Sequence, residues 1–274
     1  MKVEILEKSD DFVEFLIDGT TVEFTNAIRR ILISDIPVMA IDDVIFLENS
    51  SPLFDEIISH RLGLVPLKTD LKRYNLPKAC ACGGAGCTLC QVELNCEAHC
   101  EQNETTIYSG NLESNDEFVK PVSPKVPLLK LGRGKSVVFE AYARLGIGRQ
   151  HAKWQAVGAT AYRYYPDWKF DASKWKDIGE ISPEKVCPPK ILRRDGNNIY
   201  MVDDGWRKCT LCKACQKADK SGAITVSKNP KKVIFFVEGT GALPVKEMLE
   251  KALEIFKKTL DEFDVQLKDL AIGN

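Results

Sequence analysis

The chain has 274 residues, of which 44% are hydrophobic and 28% are charged, and its formal net charge is -1. This composition is that of an ordinary globular protein, and the length predicts more than one domain. The near-neutral charge argues against a protein that holds DNA on its own, because such proteins are usually basic.

The N-terminal residues contain no apolar segment of the kind found in signal peptides, and no apolar run approaches the roughly 18 residues of a membrane span. We therefore expect a cytoplasmic protein without a membrane segment. The 10 cysteines are many for a reducing compartment, where disulfides rarely persist. All of them fall within residues 80–100 and 187–215, and such clusters indicate metal or redox ligands.

The beginning of the chain predicts strands and a helix. Residues 2–8 and 11–17 alternate apolar and polar side chains, as two strands do. From Val22, apolar residues recur at helical spacing and predict an amphipathic helix that ends near Pro37. Residues 38–47 predict a further strand.

The middle of the chain predicts one more helix and several short strands. Pro52 is expected in the first turn of a second helix that runs through Leu62. The Pro- and Gly-rich residues 121–134 are predicted to be loop. Short strands are predicted at 104–111, 136–146 and 154–165.

The end of the chain predicts two strands, AITVS and residues 231–237, followed by the longest helix, from Pro244 to about Leu270. Its apolar residues form a stripe in near-heptad steps: Val245, Met248, Leu249, Ala252, Leu253, Phe256, Leu260, Phe263, Leu267 and Leu270. Such a stripe can cover the protein's own sheet or pack on another chain. Because the helix would be roughly 40 Å long, we expect part of the stripe to contact a partner.

The second cysteine group has the spacing C-x2-C-x2-C, which places three thiolates at different corners of an iron–sulfur cube. A Cys-Pro upstream offers the fourth sulfur, so the predicted ligands are Cys187, Cys209, Cys212 and Cys215. We predict one 4Fe–4S cluster, with a 3Fe–4S form as the variant if one iron is labile. The alternatives are a zinc site on the same sulfurs or reduced thiols. Zinc sites more often pair two C-x2-C units.

A second ferredoxin cluster has lost its ligand positions. Three positions that would carry the cysteines of a first motif are instead Asp177, Glu180 and Pro183. The fourth position of the second motif is Asp219. The pattern is that of a half-degenerate ferredoxin module.

The first cysteine group places four thiols within eleven residues, interleaved with three glycines that permit tight turns. A structural zinc on Cys80, Cys82, Cys87 and Cys90 is the leading interpretation. The alternative is an empty loop of reduced cysteines. Nearby Cys96, His99 and Cys100 could replace a ligand, form a second site or remain free, and the strand pattern puts Cys96 and Cys100 on one face.

We expect no active site. The three histidines, His60, His99 and His151, stand in no recognisable arrangement with a nucleophile. The neighbours Asp42 and Asp43 should point to opposite faces of a strand and so not share an ion. Gly239-x-Gly241 and Asp203-Asp204-Gly205 are predicted to be turns.

Several segments resemble the alpha-type subunits of RNA polymerases. Residues 23–44 resemble the first helix and following strand of that family, and residues 55–67 resemble its second-helix motif. Residues 151–166 resemble the end of the inserted domain in the archaeal alpha-like subunits and their eukaryotic third-largest counterpart, and the loop at 80–90 resembles the zinc loop of the latter. Residues 187–215 resemble the iron–sulfur domain of a subset of the archaeal members.

The resemblance implies an α+β fold in three parts. Residues 1–48 and 227–274 would form a discontinuous alpha-subunit-like dimerisation domain. Residues 49–168 would form a mostly β inserted domain with the zinc-type loop. Residues 169–226 would form a ferredoxin-like iron–sulfur module.

The resemblance also implies a non-catalytic assembly subunit of DNA-dependent RNA polymerase. It implies a heterodimer with the small alpha-like subunit L, which then joins subunits N and P and the large catalytic subunits, without direct contact to nucleic acid. Family surfaces give these partner-contact candidates: Arg29, Arg30, His60, Arg61, Phe256, Leu260, Phe263 and Leu267. An internal salt bridge is the alternative for each charged one.

Many members of this family lack one of the two cysteine sets, whereas this chain has both, so the fold does not dictate what the cluster does. We predict a structural or redox-sensing role. The alternative functions are a ferredoxin-like electron carrier or redox-enzyme subunit, which leaves the chain ends unexplained, and a zinc-dependent regulator that binds nucleic acid, which the charge disfavours.

Overall fold

The computed structural model of the protein describes residues 1–176 and 182–272. Two of the degenerate ligand positions, Asp177 and Glu180, lie outside the described residues. The described chain is α+β, as predicted. Its strands are β1 Lys2–Lys8, β2 Phe12–Asp18, β3 Pro37–Asn49, β4 Gln91–Cys100, β5 Thr105–Tyr108, β6 Glu113–Ser114, β7 Pro127–Leu131, β8 Lys135–Ile147, β9 Val157–Phe170, β10 Leu192–Asp195, β11 Asn198–Met201 and β12 Ile224–Gly239.

Two of the helices are long and amphipathic, and the others are short. The α-helices in the described residues are α1 Val22–Ser34, α2 Asp55–Gly63, α3 Pro183–Val186, α4 Gly205–Lys208, α5 Ala214–Ala218 and α6 Val245–Ile272. No helix in the described residues is long and apolar enough to cross a membrane.

The chain divides into two compact units, the first comprising Met1–Glu7, Glu14–Asn26 and Ala161–Phe236. Most of a four-stranded sheet of order β1-β2-β12-β9 lies in it, together with the β10-β11 hairpin. Apolar side chains of β2 and β12 are buried, and the Phe15 and Phe235 rings stack with their centroids 5.4 Å apart. The alternating pattern of residues 11–17 predicted the strand but burial on one face only, whereas residues 13–17 are all buried.

The second unit comprises Lys8–Val13, Ala27–Thr160 and Val237–Asn274. It contains a sheet of order β3-β8-β4-β6 and the β5-β7 ribbon. β8 pairs antiparallel with both β3 and β4. The inner face of this sheet packs against α2 through a core of fully buried residues, which includes Ile58, Leu62, Leu94, Leu128 and Phe139.

The structure corrects the predicted start of the second helix. Helix α2 begins at Asp55, so Pro52 does not lie in its first turn. The residues before it form a bend, in which the Ser51 hydroxyl accepts from Leu53 N at 3.2 Å. The Asn49 amide donates to the Leu53 carbonyl at 2.9 Å and to Asp55 at 2.6 Å. Local side-chain hydrogen bonds therefore compete successfully with the helix at this point.

Two strand predictions were also wrong. Residues 121–134 are not all loop, because Pro127–Leu131 forms β7 and pairs antiparallel with β5. AITVS and residues 231–237 belong to one continuous strand, β12. The strand passes through the Asn229-Pro230 pair that lies between them.

The predicted ranges of the first two strands, the first helix and the last helix are confirmed to within a few residues. The turns at Asp204 and Gly241 are confirmed as well, since both residues have positive φ. The predicted three-part division of the chain stays a prediction.

Candidate metal centres and partner-facing helix

The first cysteine group lies on a loop between the 3-10 helix Pro77–Ala79 and β4. Gly83, Gly84 and Gly86 all have positive φ, which a side chain would oppose. The backbone makes a turn at each end of the loop: Gly83 N donates to Cys80 O at 2.9 Å, and Cys90 N donates to Cys87 O at 2.9 Å. The glycines thus permit two opposed turns, each of which presents a pair of thiols.

These turns bring the four sulfur atoms together. Cys80 and Cys87 Sγ atoms are 3.5 Å apart, those of Cys82 and Cys90 are 3.5 Å apart, and those of Cys87 and Cys90 are 3.8 Å apart. Four sulfurs held at 2.3 Å from one tetrahedral ion would be separated by roughly 3.8 Å. Among the described residues, this is the one group of at least three potential ligands that all lie within 4.8 Å of one another. It could hold a single metal ion.

The four thiols do not have equal proton affinities. Hydrogen bonds from Cys90 and from the backbone of Gly86 lower the pKa of Cys82 to about 6. Burial instead raises the pKa of Cys90. A group of sulfurs that carries one thiolate near neutral pH attracts a cation, and the bound cation then favours loss of the remaining protons.

The loop is anchored to the sheet by a chain of polar contacts. Arg144 on β8 donates to the side chain of Gln91 at 2.9 and 3.0 Å and pairs with Asp43 at 3.1 Å. The Gln91 side chain also occupies the space that a Cβ at Gly86 would need. Sequence reasoning missed Gln91, because nothing in its local pattern distinguishes it from an exposed strand residue.

The neighbouring ligand candidates do not join this group. Cys96 and Cys100 are buried on the inner face of β4, as the strand pattern predicted. The Cys100 thiol donates to the Asn103 carbonyl at 2.5 Å. His99 is exposed and lies 3.1 Å from Glu97. Burial raises the pKa of Cys96 to about 11, so its thiol stays protonated.

The second cysteine group lies in the first unit and lines a single cavity. Cys187 follows α3, Cys209 follows α4, and Cys215 lies in α5. The space that it encloses is small, about 20 Å³. Its other walls are Trp168, Pro189, Ile191, Leu192, Met201, Thr210, Lys213 and Val226. Cys212 is exposed, and Cys187 is buried. The structure therefore brings together all four predicted iron–sulfur ligands.

The backbone between these cysteines takes an uncommon path. Leu211 and Lys213 have φ of 56° and 59°, a left-handed conformation that costs free energy for residues other than glycine. They lie between successive cysteines of the group. The sulfurs do not all lie within 4.8 Å of one another, as four ligands of one tetrahedral ion would.

The cavity wall also contains a buried donor. The indole N–H of Trp168 makes no hydrogen bond of ordinary geometry among the described atoms, but it lies near enough to the Cys215 thiol to act on its pKa. Burial raises the pKa of Cys215, and the Trp168 N–H acts in the opposite direction. A buried N–H beside thiols fits a site that holds negatively charged sulfur. Sequence reasoning missed Trp168, which is 19 residues upstream of Cys187 and in no motif.

Asp219 stands where the second motif lacks its fourth cysteine, and its side chain stabilises a turn. Its carboxylate is buried, with a residue exposure of 8%. It accepts from Ser221 N at 2.9 Å, from the Ser221 hydroxyl at 2.6 Å and from Ile224 N at 2.6 Å. These bonds form the turn between α5 and β12.

Helix α6 changes character along its length. Val245, Met248 and Ala252 are buried against the protein's own body. Farther along, the apolar residues face solvent, with exposures of 51% for Leu260 and 58% for Phe263. Leu253, Leu267 and Leu270 are exposed too, and Phe256 is half-buried. We call the six residues Leu253, Phe256, Leu260, Phe263, Leu267 and Leu270 the α6 seam.

The charged contact candidates occupy helices α1 and α2. Arg30 and His60 are exposed. Arg61 is exposed as well, and its guanidinium donates to the Leu128 carbonyl at 2.7 Å. Arg29 is half-buried and has a partner within the protein. The adjacent acids diverge as predicted, since Asp42 pairs with Lys153 at 2.6 Å and Asp43 pairs with Arg144.

Comparison with known proteins identifies relatives over nearly the whole length. The family model for the RNA polymerase Rpb3/Rpb11 dimerisation domain matches residues 14–260. DNA-directed RNA polymerase subunit Rpo3 of Methanosphaera stadtmanae is 37% identical over 265 residues, which cover 95% of this chain and 96% of the relative. The Rpo3 subunits of Archaeoglobus fulgidus and Pyrococcus furiosus are 34% and 35% identical, and each match covers 98% of both chains.

Proposed function

This chain belongs to the archaeal Rpo3 family of RNA polymerase subunits, with its Rpb3/Rpb11 dimerisation domain, and we propose that it is the non-catalytic subunit that nucleates assembly of that enzyme. It pairs first with the small alpha-like subunit L. The heterodimer then joins subunits N and P and the large catalytic subunits in the cytoplasm. The observation that carries this proposal is the α6 seam.

The seam has the geometry of a helix–helix interface. Its six residues follow one another in steps of 3, 4, 3, 4 and 3, which keeps one side of a helix facing a partner. An apolar stripe of this regularity is unfavourable in water unless something covers it. Because the buried residues of α6 end near Ala252, the rest of the stripe is available to a second chain.

The charged residues of α6 also support a helix whose seam faces a second chain. Lys246 pairs with Glu250, Lys258 with Glu262, and Lys268 with Asp264, each at i,i+4 spacing. Such pairs stabilise an exposed helix by a few tenths of a kcal/mol each. They hold the helix straight without covering the seam.

An anaerobic pull-down tests the assembly role. The tagged protein is recovered from its native cells, and the eluate is assayed for DNA-templated ribonucleotide incorporation, with the tag alone as the control. We expect activity together with large co-purifying chains and a small alpha-like chain. An inactive eluate that contains only redox proteins would refute the assembly function.

We further propose that the first cysteine loop binds one zinc ion through Cys80, Cys82, Cys87 and Cys90. The short distances between the sulfurs, which match a tetrahedral site, support zinc over an iron–sulfur cluster at this loop. Structural zinc contributes directly to folding free energy. In this role the loop would be a fixed surface feature of the second unit.

The second proposed cofactor is one 4Fe–4S cluster held by Cys187, Cys209, Cys212 and Cys215. Such a cluster supplies a redox-sensitive cross-link between segments that are distant in sequence. The chain's own residues support this site: Leu211 and Lys213 have left-handed backbone between the cysteines, and the buried Trp168 N–H lies by Cys215. The role we propose is structural or redox-sensing.

One observation favours electron transfer as a second candidate. Cys212 is exposed, so a cluster edge at this corner would be within reach of another protein. The two functions differ in what co-purifies with the chain. The test is a variant in which the α6 seam is removed. If it no longer assembles polymerase while its cluster content is unchanged, the result would support assembly over electron transfer.

A further inference from the structure

The turn that precedes the second cysteine group is fixed on its cavity side. Helix α4 is a single turn, and Cys209 N donates to the Gly205 carbonyl at 3.0 Å. A Cβ at Gly205 would lie 2.6 Å from Met201 Cγ and 3.2 Å from Ile191 Cβ, two residues that line the cysteine cavity. The turn therefore cannot shift without moving both Cys209 and the cavity wall.

The other side of the same turn reaches the sheet of its unit. The Arg207 guanidinium donates to Glu14 on β2 at 2.7 Å and lies 3.4 Å from Glu7 on β1. The adjacent Trp206 packs on Tyr165 of β9, with ring centroids 5.1 Å apart. Two neighbouring side chains of a four-residue turn thus contact three strands.

Leaving the Glu14 carboxylate without partners would cost free energy. Its residue exposure is 8%, and it accepts from two guanidinium groups, Arg207 and Arg163 at 2.8 Å. A buried carboxylate needs compensating charge and hydrogen bonds. Arg163 lies on β9, whereas Arg207 lies in α4, two residues before Cys209.

We propose that Arg207 couples occupancy of the second cysteine site to the order of β1 and β2, the strands that begin the chain. This inference rests on the proposed iron–sulfur cluster. When the cluster is bound, the loop holds Arg207 against Glu14. When it is lost, the loop loosens, Glu14 loses one of its two cationic partners, and both strands open more often. Arg207 acts as a positioning residue, since it does not touch the sulfurs.

Hydrogen exchange of the full chain tests this coupling. Exchange of the β1 and β2 amides is measured with the cluster bound and after its removal by oxidant and chelator. We expect removal to accelerate exchange about tenfold in the wild type, a typical magnitude for coupled sites. In Arg207→Ala, exchange should be fast in both states. Arg207→Lys should restore part of the difference, because it keeps the charge but not the planar guanidinium.

Arg193→Ala is the matched control. Arg193 lies in the same module, and within the described part of the chain its guanidinium donates to the nearby Lys190 and Leu192 carbonyls. It should retain the wild-type difference between the two states. If Arg207→Ala also retains the wild-type difference, or if cluster removal leaves the two strands unchanged in the wild type, the coupling is refuted.

Failure of the cofactor is distinguishable from failure of the coupling. A chain that never contains iron and sulfide would refute the proposed cluster. In that case a double-mutant cycle with Arg207→Ala and Glu14→Gln decides the contact itself. A coupling of about tenfold in the unfolding equilibrium would support a link between the cysteine loop and the strands, and additive effects would overturn it.

Discussion

The α6 seam makes a quantitative prediction for the pairing with the small alpha-like subunit. Leu260 and Phe263 are 51% and 58% exposed. Full burial of a Leu or Phe side chain is worth about 1.5–3 kcal/mol, so covering the exposed half contributes about 0.8–1.5 kcal/mol per residue. Leu260→Ala/Phe263→Ala should therefore weaken the heterodimer by about 1.5–3 kcal/mol, or about 10- to 150-fold in Kd.

Titration calorimetry or interferometry with the purified small subunit measures this Kd directly. Val265→Ala is the matched control, because Val265 is an apolar residue with 57% exposure on the same helix but outside the seam. It should change Kd by less than about twofold, since surface substitutions usually cost under 0.5 kcal/mol. Circular dichroism of each variant verifies that the helix is intact.

Two outcomes would contradict the reasoning. Equal weakening by the seam variant and by Val265→Ala would mean that the heptad spacing does not define the interface. Unchanged affinity in the seam variant would mean that this part of α6 is not buried by the partner. Either result would indicate that the apolar stripe serves solubility or packing within the protein itself.

Three further predictions concern the cysteine sites and one buried pair. Cys82→Ser should abolish stoichiometric zinc in elemental analysis, whereas Cys96→Ser should retain it. Cys209→Ser should lose iron, sulfide and visible absorbance while zinc stays bound, and loss of both metals together would contradict two separate sites. Burial and the hydrogen bond to Asp116 raise the pKa of Tyr74 to about 12. Its contribution to stability is thus complete below pH 10 and is lost as pH rises towards 12. Urea unfolding should show this loss in the wild type and a smaller one in Tyr74→Phe.

The parts of the fold that the sequence predicted best are those in which one periodic pattern controls a whole element. The seam residues of α6 repeat over several turns, so neither the helix nor its apolar side depended on distant contacts. Alternation also predicted the strands β1 and β2, but it did not predict their burial, because β1 is almost entirely exposed and residues 13–17 of β2 are all buried. A pattern of this length predicts its element even where single residues depart from the pattern.

Short-range signals were less reliable where tertiary pairing or side-chain hydrogen bonds dominate. Pro127–Leu131 is a strand because β5 pairs with it, and nothing within residues 121–134 reveals that partner. Pro52 suggested a helix start, but the hydrogen bonds of Asn49 and Ser51 hold a bend there. Both cases show non-local or side-chain contacts overriding propensity.

The candidate sites also contain residues that the sequence predicted and residues that only the structure revealed. Cysteine spacing pointed to the four thiols that the first loop holds within 4.8 Å of one another. Spacing together with the Cys-Pro pair pointed to the four cysteines that line the cavity of the second group. The supporting residues could not be found this way. Trp168 and Gln91 lie at the sites because the fold places them there. In the sequence, each has the pattern of an ordinary strand residue.

Asp219 bears on whether the missing second cluster could be regained. A cysteine at this position would supply a sulfur for it but would remove the carboxylate that accepts from Ser221 and Ile224. Each buried donor left unsatisfied costs about 1–3 kcal/mol, a large share of the 5–15 kcal/mol that ordinarily keeps a domain folded. The first step back towards a two-cluster ferredoxin would thus destabilise the module before any benefit arose. The hydrogen bonds of this one turn therefore disfavour a cysteine at position 219.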